Sequence, residues 1–309
     1  MSDQTPAARP PSWLGAFIRR NPVALKELRG RMRGARAFVV LTIYITLMSV
    51  FAIALYAIYT ASSTVAVTAT GGVVGKLIFA GVVAVELFLV CFVAPAFTAG
   101  AISGEREHQT YDLLKTTLLP ARRIVWGKLL SALAYVVLLL VVAIPLQSLA
   151  FLMGGVTFEE VLLSLWMLVV TAVGYGTVGI FASALTRRTL NASVLTYTFA
   201  LLTTVALPLV SLGAAAFAPL GTATFNNPPL EAMLLYLFGL LVSTNPLSAA
   251  VVTETVLLNQ GSIFYFTIPL SNGTPLPLVS PWVVYSVIVL LSSLLLLGRS
   301  VRLVSRIDE

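Results

Sequence analysis

Residues 102–128 read ISGEREHQTYDLLKTTLLPARRIVWGK and lie between two long apolar blocks, Val73 to Ala99 and Leu129 to Met153. Eight formal charges fall within these 27 positions: Glu105, Arg106, Glu107, Asp112, Lys115, Arg122, Arg123 and Lys128. They stand in a chain of 309 residues that is only 10% charged and 58% hydrophobic, with a mean hydropathy of +0.97. A soluble globular protein carries about 25% charged residues. The chain is therefore read as an all-α polytopic membrane protein, and residues 102–128 as a solvated stretch joining two of its spanning helices.

Outward from this stretch, apolar blocks long enough to cross about 30 Å of hydrocarbon at 1.5 Å per residue recur along the chain. They are Phe38 to Thr60, Val73 to Ala99, Leu129 to Met153, Val161 to Leu185, Val194 to Phe217 and Trp282 to Gly298, which makes six transmembrane helices. The 37 residues before the first block are too long and too charged for the n-region of a secretory leader, so the block is expected to stay uncleaved.

Lys and Arg are retained on the cytoplasmic side of a membrane protein. Eight of them precede Phe38, five lie in 102–128, two are Arg187 and Arg188, and three follow Gly298; Lys76 is the other. Six crossings with both termini cytoplasmic put those four segments on one face. The chain then divides into a basic arm (1–37), a six-helix domain (38–298) and a cytoplasmic tail (299–309). The segment 218–280 falls outside. It has seven prolines, no Lys or Arg, and an apolar run, Ala232 to Val242, too short to span between Glu231 and Asn245-Pro246. A re-entrant hairpin before the last helix is preferred over two extra crossings.

In the amino-terminal arm, Leu25, Leu28 and Met32 recur at helical spacing while Lys26, Arg29, Arg31, Arg33 and Arg36 fill the other faces. Asn21-Pro22 matches an N-cap followed by proline at the first helical position. An amphipathic helix from Pro22, lying on the inner leaflet, is expected. Either it is a basic anchor on anionic lipid, or it is an elbow that also touches a cytoplasmic partner through Lys26, Glu27, Arg29 and Arg33.

Within 102–128, Ser103-Gly104 marks a break at the membrane exit. Glu105 to Thr117 is helix-compatible, and Pro120 ends it. Tyr111 and Leu114 form an apolar edge flanked by Glu107, Asp112 and Lys115. Such a helix can seat in a groove of another protein. The plainer alternative is a charged loop that any two spanning helices would need.

Two stretches resemble the permease subunits of ABC-2 type ATP-binding cassette exporters. They are NPVALKELRGRMRGARAF at 21–38 and ISGEREHQTYDLLKTT followed by ARRIVWGKLL at 102–130. The family commonly shows an Asn-Pro-x-x-x-Lys-Glu-Leu arm, a Ser-Gly-Glu-Arg-Glu segment, Asp-Leu-Leu, and a basic Ile-x-x-Gly-Lys lead-in to the third helix. His108-Gln109 departs from the frequent Arg-Gly. Leu118-Leu119-Pro120 departs from an earlier proline.

The resemblance implies two permease subunits, identical or paired, assembled with two ATPase subunits that carry ATP and Mg. It makes Glu105 to Thr117 a coupling helix moved by the ATPase, with Gly104, Glu105, Arg106, Glu107, Thr110, Tyr111, Asp112 and Leu114 as contact candidates. Export across a bacterial-type cytoplasmic membrane is the implied direction and place.

The residues themselves fit a transport subunit rather than an enzyme. No Gly-x-x-x-x-Gly-Lys-Ser/Thr phosphate cradle occurs, so ATP hydrolysis is expected on a partner chain and no cofactor on this one. One Cys and one His leave no thiolate cluster or multi-histidine site, and no Ser-His-Asp set is visible. Nucleic acid is not an expected partner; the bilayer is. Glu86 is the formal charge well inside a span. It is a candidate for the translocation path, or is hydrogen-bonded between helices. Gly174, Gly176 and Gly179 are read as helix packing contacts, and Pro95, Pro145 and Pro208 as kinks. The alternative function is an ion-coupled carrier or channel with no ATPase.

Overall fold

The computed structural model describes residues 35–62, 71–110, 120–206, 208–209 and 228–306. In chain order its helices are α1 (Ala35–Ser62), α2 (Gly71–Thr98), the five-residue α3 (Ser103–Glu107), α4 (Ala121–Leu152), α5 (Phe158–Leu185) and α6 (Thr189–Leu201), which runs on into a π-helical turn, Leu202–Ala206. There follow α7 (Pro228–Val242), α8 (Pro246–Gln260), strands β1 (Tyr265–Pro269) and β2 (Pro275–Val279), and α9 (Pro281–Arg306). Six of these helices are long and apolar enough to cross a membrane, and each expected block falls on one of them.

The boundaries differ in places. Helix α4 begins at Ala121, directly after Pro120, so Arg122, Arg123 and Lys128 belong to the helix rather than to a loop before it. Proline's fixed φ and missing N–H suit it to this flanking position. The fifth span starts at Thr189 rather than Val194, and the expected end near Phe217 lies outside the described residues. Helix α9 continues past Gly298 to Arg306. The amino-terminal arm, with Lys26, Glu27, Arg29 and Arg33, also lies outside the described residues.

Helix α5 is the centre of the bundle, packing against α2, α4, α6 and α9. Its glycines let three neighbours approach. A Cβ on Gly174 would sit 2.5 Å from Val289 of α9, one on Gly176 3.3 Å from Leu129 of α4, and one on Gly179 2.0 Å from the Thr98 hydroxyl of α2. Without a hydrophobic force between helices in lipid, such close packing holds spans together. The main core lies between α1, α2, α4 and α5 and includes Met48, Val82, Leu87, Val136 and Leu168.

Helices α7 and α8 have 15 residues each, about 22 Å at 1.5 Å per residue and short of the roughly 30 Å of hydrocarbon. Asn245, buried between them, has two tasks. Its Oδ1 accepts from the Ser248 amide 2.9 Å away as the N-cap of α8, and its Nδ2 donates to the carbonyl of Thr203 in the π-helical turn.

One element was not expected: β1 and β2 pair antiparallel, Phe266 opposite Leu278, and are the only strands among the described residues. Phe266 and Leu278 pack on Val256 of α8. Glu231 of α7 accepts from the Ser271 amide and hydroxyl in the connecting loop, at 3.1 and 2.6 Å, and Gln260 bonds both backbone groups of Thr267.

Candidate functional site

The Ser103–Glu107 segment is built into the end of the bundle where α2 finishes and α4 starts. Ser183 of α5 accepts from the amides of Ile102 and Ser103, at 2.8 and 2.9 Å, and its hydroxyl lies 3.1 Å from that of Ser103. All three residues are buried. One hydroxyl near the end of α5 thus satisfies backbone donors left over where the chain turns out of α2.

The next three side chains each reach a different helix. Glu105 accepts from Lys128 of α4 at 2.8 Å, and the lysine is 3% exposed. Arg106 donates through Nη1 to the carbonyls of Ala184 and Thr186, at 3.1 and 3.2 Å, where α5 ends. Glu107 accepts from the amide and hydroxyl of Thr189, at 3.2 and 2.5 Å, where α6 begins. The signs match the helix ends. A cation meets the carbonyl-rich C-terminus of α5, and an anion meets the free amides at the N-terminus of α6.

Helix α3 then stops. The Thr110 amide donates to the Glu105 carbonyl at 2.9 Å and the Gln109 amide to the Arg106 carbonyl at 3.2 Å, a Schellman closure whose left-handed residue is Gln109, φ +57°. The expected continuous helix from Glu105 to Thr117 is therefore interrupted, its first turn ending at Glu107. Gln109 stands where the resembling family frequently has glycine, the residue that takes a positive φ without steric cost. Tyr111, Asp112 and Leu114 lie outside the described residues. Of the other coupling candidates, Gly104 faces Thr189, whose hydroxyl would be 3.8 Å from an added Cβ, and Thr110 is exposed.

The structure thus brings Glu105, Arg106 and Glu107 together in one clamp. Of its counterparts, Lys128 stood in the sequence only as one charge of the stretch and as the lysine of the Ile-x-x-Gly-Lys lead-in, while Ala184, Thr186 and Thr189 were not singled out. A lone Thr or a backbone carbonyl at a helix end carries no such signal.

Glu86 is elsewhere. It is 0% exposed and accepts from Nε2 of Gln147, 2.7 Å away, which ties α2 to α4. Gln147 is the lone carboxamide in its apolar block, and that was the sign of a polar partner. At the far end of the bundle, Lys76 of α2 pairs with Glu160 of α5 at 2.9 Å and Glu254 of α8 at 3.4 Å.

The described residues thus combine six apolar helices with a Ser-Gly-Glu-Arg-Glu turn, Ser103–Glu107, that follows the second of them. A family model described as ABC-2 family transporter protein matches residues 21–237. The chain belongs to the ABC-2 transporter family. The matched stretch contains the arm motif, the clamp and the helices as far as α7. No curated protein matches the chain. As an ABC-2 transporter protein it is a multi-pass membrane component of a transport system, and α3 is held at one end of its bundle by three side-chain contacts to α4, α5 and α6. Among the described residues, no group of three or more His, Cys, Asp or Glu side chains could hold a metal ion.

Proposed function

We propose that this ABC-2 protein is the permease subunit of an ATP-driven exporter, coupled to separate ATPase subunits through α3 and the residues that follow it. The observation that carries the reading is the clamp. A force applied to a free loop is lost in loop motion, whereas a force on α3 reaches α4 through Glu105, the C-terminus of α5 through Arg106 and the N-terminus of α6 through Glu107. The exposed continuation at His108 to Thr110 offers the contact surface; Tyr111, Asp112 and Leu114, outside the described residues, are the further contact candidates. Arg187 and Arg188, exposed at the turn between α5 and α6, border the same face. Charged side chains there supply register more than affinity, since exposed ion pairs contribute about 0–1 kcal/mol each.

The basic end is the cytoplasmic one in this reading, with both termini there and the bundle in a bacterial-type cytoplasmic membrane. Two ATPase copies bind ATP and Mg. A second permease, identical or paired, covers part of the apolar surface that α1 leaves exposed at Phe38, Ile43, Val50 and Ile53; lipid covers the rest. The basic arm with Lys26, Glu27, Arg29 and Arg33 rests on the inner leaflet as the elbow. Helices α7 and α8 form the re-entrant hairpin, supported by their length and by the Asn245 bond to Thr203 in the π-helical turn at the end of α6. For Glu86 the Gln147 bond favours a tie between helices over a place in the path.

The test is hydrolysis by the partner ATPase, purified with and without this permease in proteoliposomes. The reading expects a stable complex and an altered rate. A rate that the permease leaves unaltered contradicts it and favours the ion-coupled carrier or channel.

A further inference from the structure

A second polar cluster lies at the end of the bundle away from the clamp. Lys76 sits in the second turn of α2 and Glu160 in the first turn of α5, where the Glu160 carboxylate also accepts from the Thr157 amide at 3.1 Å in a capping box. Glu254 comes from α8. Two carboxylates and one ammonium leave a net charge of −1 at a place surrounded by apolar helices.

Directly beside the cluster is a cleft of about 190 Å³ between α2, α5 and α8. Glu160, Glu254 and Thr253 line its polar end; Phe79, Val83, Leu87 and Met167 line the rest. Thr253 is the second, independent sign of a ligand. It is 1% exposed, yet among the described residues its hydroxyl has no hydrogen-bond partner. A buried hydroxyl left without a partner costs about 1–3 kcal/mol, which an incoming donor recovers.

We propose that this cleft binds a small single-tailed amphiphile with an ammonium head. The head answers the uncompensated carboxylate charge and donates to the Thr253 hydroxyl, an ammonium having three donors and no acceptor. The tail lies along Phe79, Val83 and Leu87, which run inward on one face of α2. A volume of about 190 Å³ is enough for one short tail. An anionic head meets the wrong charge, and an uncharged alcohol leaves it unanswered. This inference stands apart from the coupling reading, because it concerns the other end of the bundle and is measured with no ATPase present.

The test is calorimetric titration of the full chain in phosphatidylcholine nanodiscs with hexylammonium, hexanol and hexanoate, with empty discs as the blank. Saturable one-to-one binding of hexylammonium is expected, with hexanol at least about tenfold weaker, as for loss of one charge-assisted bond, and hexanoate weaker still. Glu254→Gln and Thr253→Val should each weaken hexylammonium severalfold, and Ala84→Phe, which fills the cleft, should abolish it. Equal binding of hexylammonium and hexanol, or no saturable binding, overturns the proposal without any variant. So does wild-type affinity in an Ala84→Phe protein that unfolds at the wild-type temperature.

Discussion

Gln109 occupies a left-handed conformation that costs a residue with a Cβ roughly 1–2 kcal/mol, and it does so directly after α3 ends. Gln109→Gly should raise stability by about 0.5–1 kcal/mol, the relief of strain being partly offset by the greater unfolded-state entropy of glycine. A higher unfolding temperature in detergent would register it. At Gly179 the opposite holds. Its Cβ would overlap the Thr98 hydroxyl, itself bonded to the Ala94 carbonyl at 3.0 Å, so Gly179→Ala should cost about 1–3 kcal/mol as an overpacked contact. An unchanged melting temperature would count against so tight a contact between α2 and α5. The packing role of this glycine was legible from its place in an apolar span. The role of Gln109 was not, because a glutamine in a charged run carries no mark of a positive φ; only its departure from the glycine common in similar proteins hinted at one.

Among the elements, α3 departs most from expectation. Propensity favours helix from Glu105 to Thr117, but three side chains committed to three separate helices orient the first turn, and the Schellman closure ends it. Those commitments join residues about 80 positions apart, such as Arg106 to Ala184 and Glu107 to Thr189, and no periodicity in one segment encodes a partner in another. The hairpin of β1 and β2 was legible in principle. Asn272-Gly273, with Gly273 at φ +79°, is a strong short-range hairpin signal, and Phe266 and Leu278 supply the alternation. Helix α8 depends on Asn245 for both its cap and its tie to the π-helical turn. Asn245→Ala should therefore lower stability by about 1–3 kcal/mol and speed proteolysis of 243–260. Wild-type resistance to protease would mean that apolar packing alone seats α8.

For the whole molecule, the distribution of charge was the strongest guide. Hydrocarbon excludes ions so strongly that segregation of Lys and Arg is visible residue by residue, and the six helices fall where it and hydropathy put them. The same physics explains why the exceptions are paired. Lys76 meets two carboxylates, Glu86 meets an amide, and Lys128 meets Glu105. Among the described residues, the bundle thus has charged side chains anchored at both ends and one buried inside, and the anchor at the basic end touches α4, α5 and α6. Reversing Glu105 sets two ammonium groups against each other beside buried Lys128, and reversing Glu107 sets a cation against the amide-rich start of α6.

Transport per ATP hydrolysed, measured in proteoliposomes that contain the permease with its ATPase, tests the clamp most directly. The Glu105→Lys/Glu107→Lys protein should insert into the membrane at the wild-type level and bind the ATPase, yet hydrolyse ATP with transport reduced at least about tenfold, the effect of some 1.4 kcal/mol of lost coupling. The wild-type ratio of transport to hydrolysis in that double variant would contradict the account.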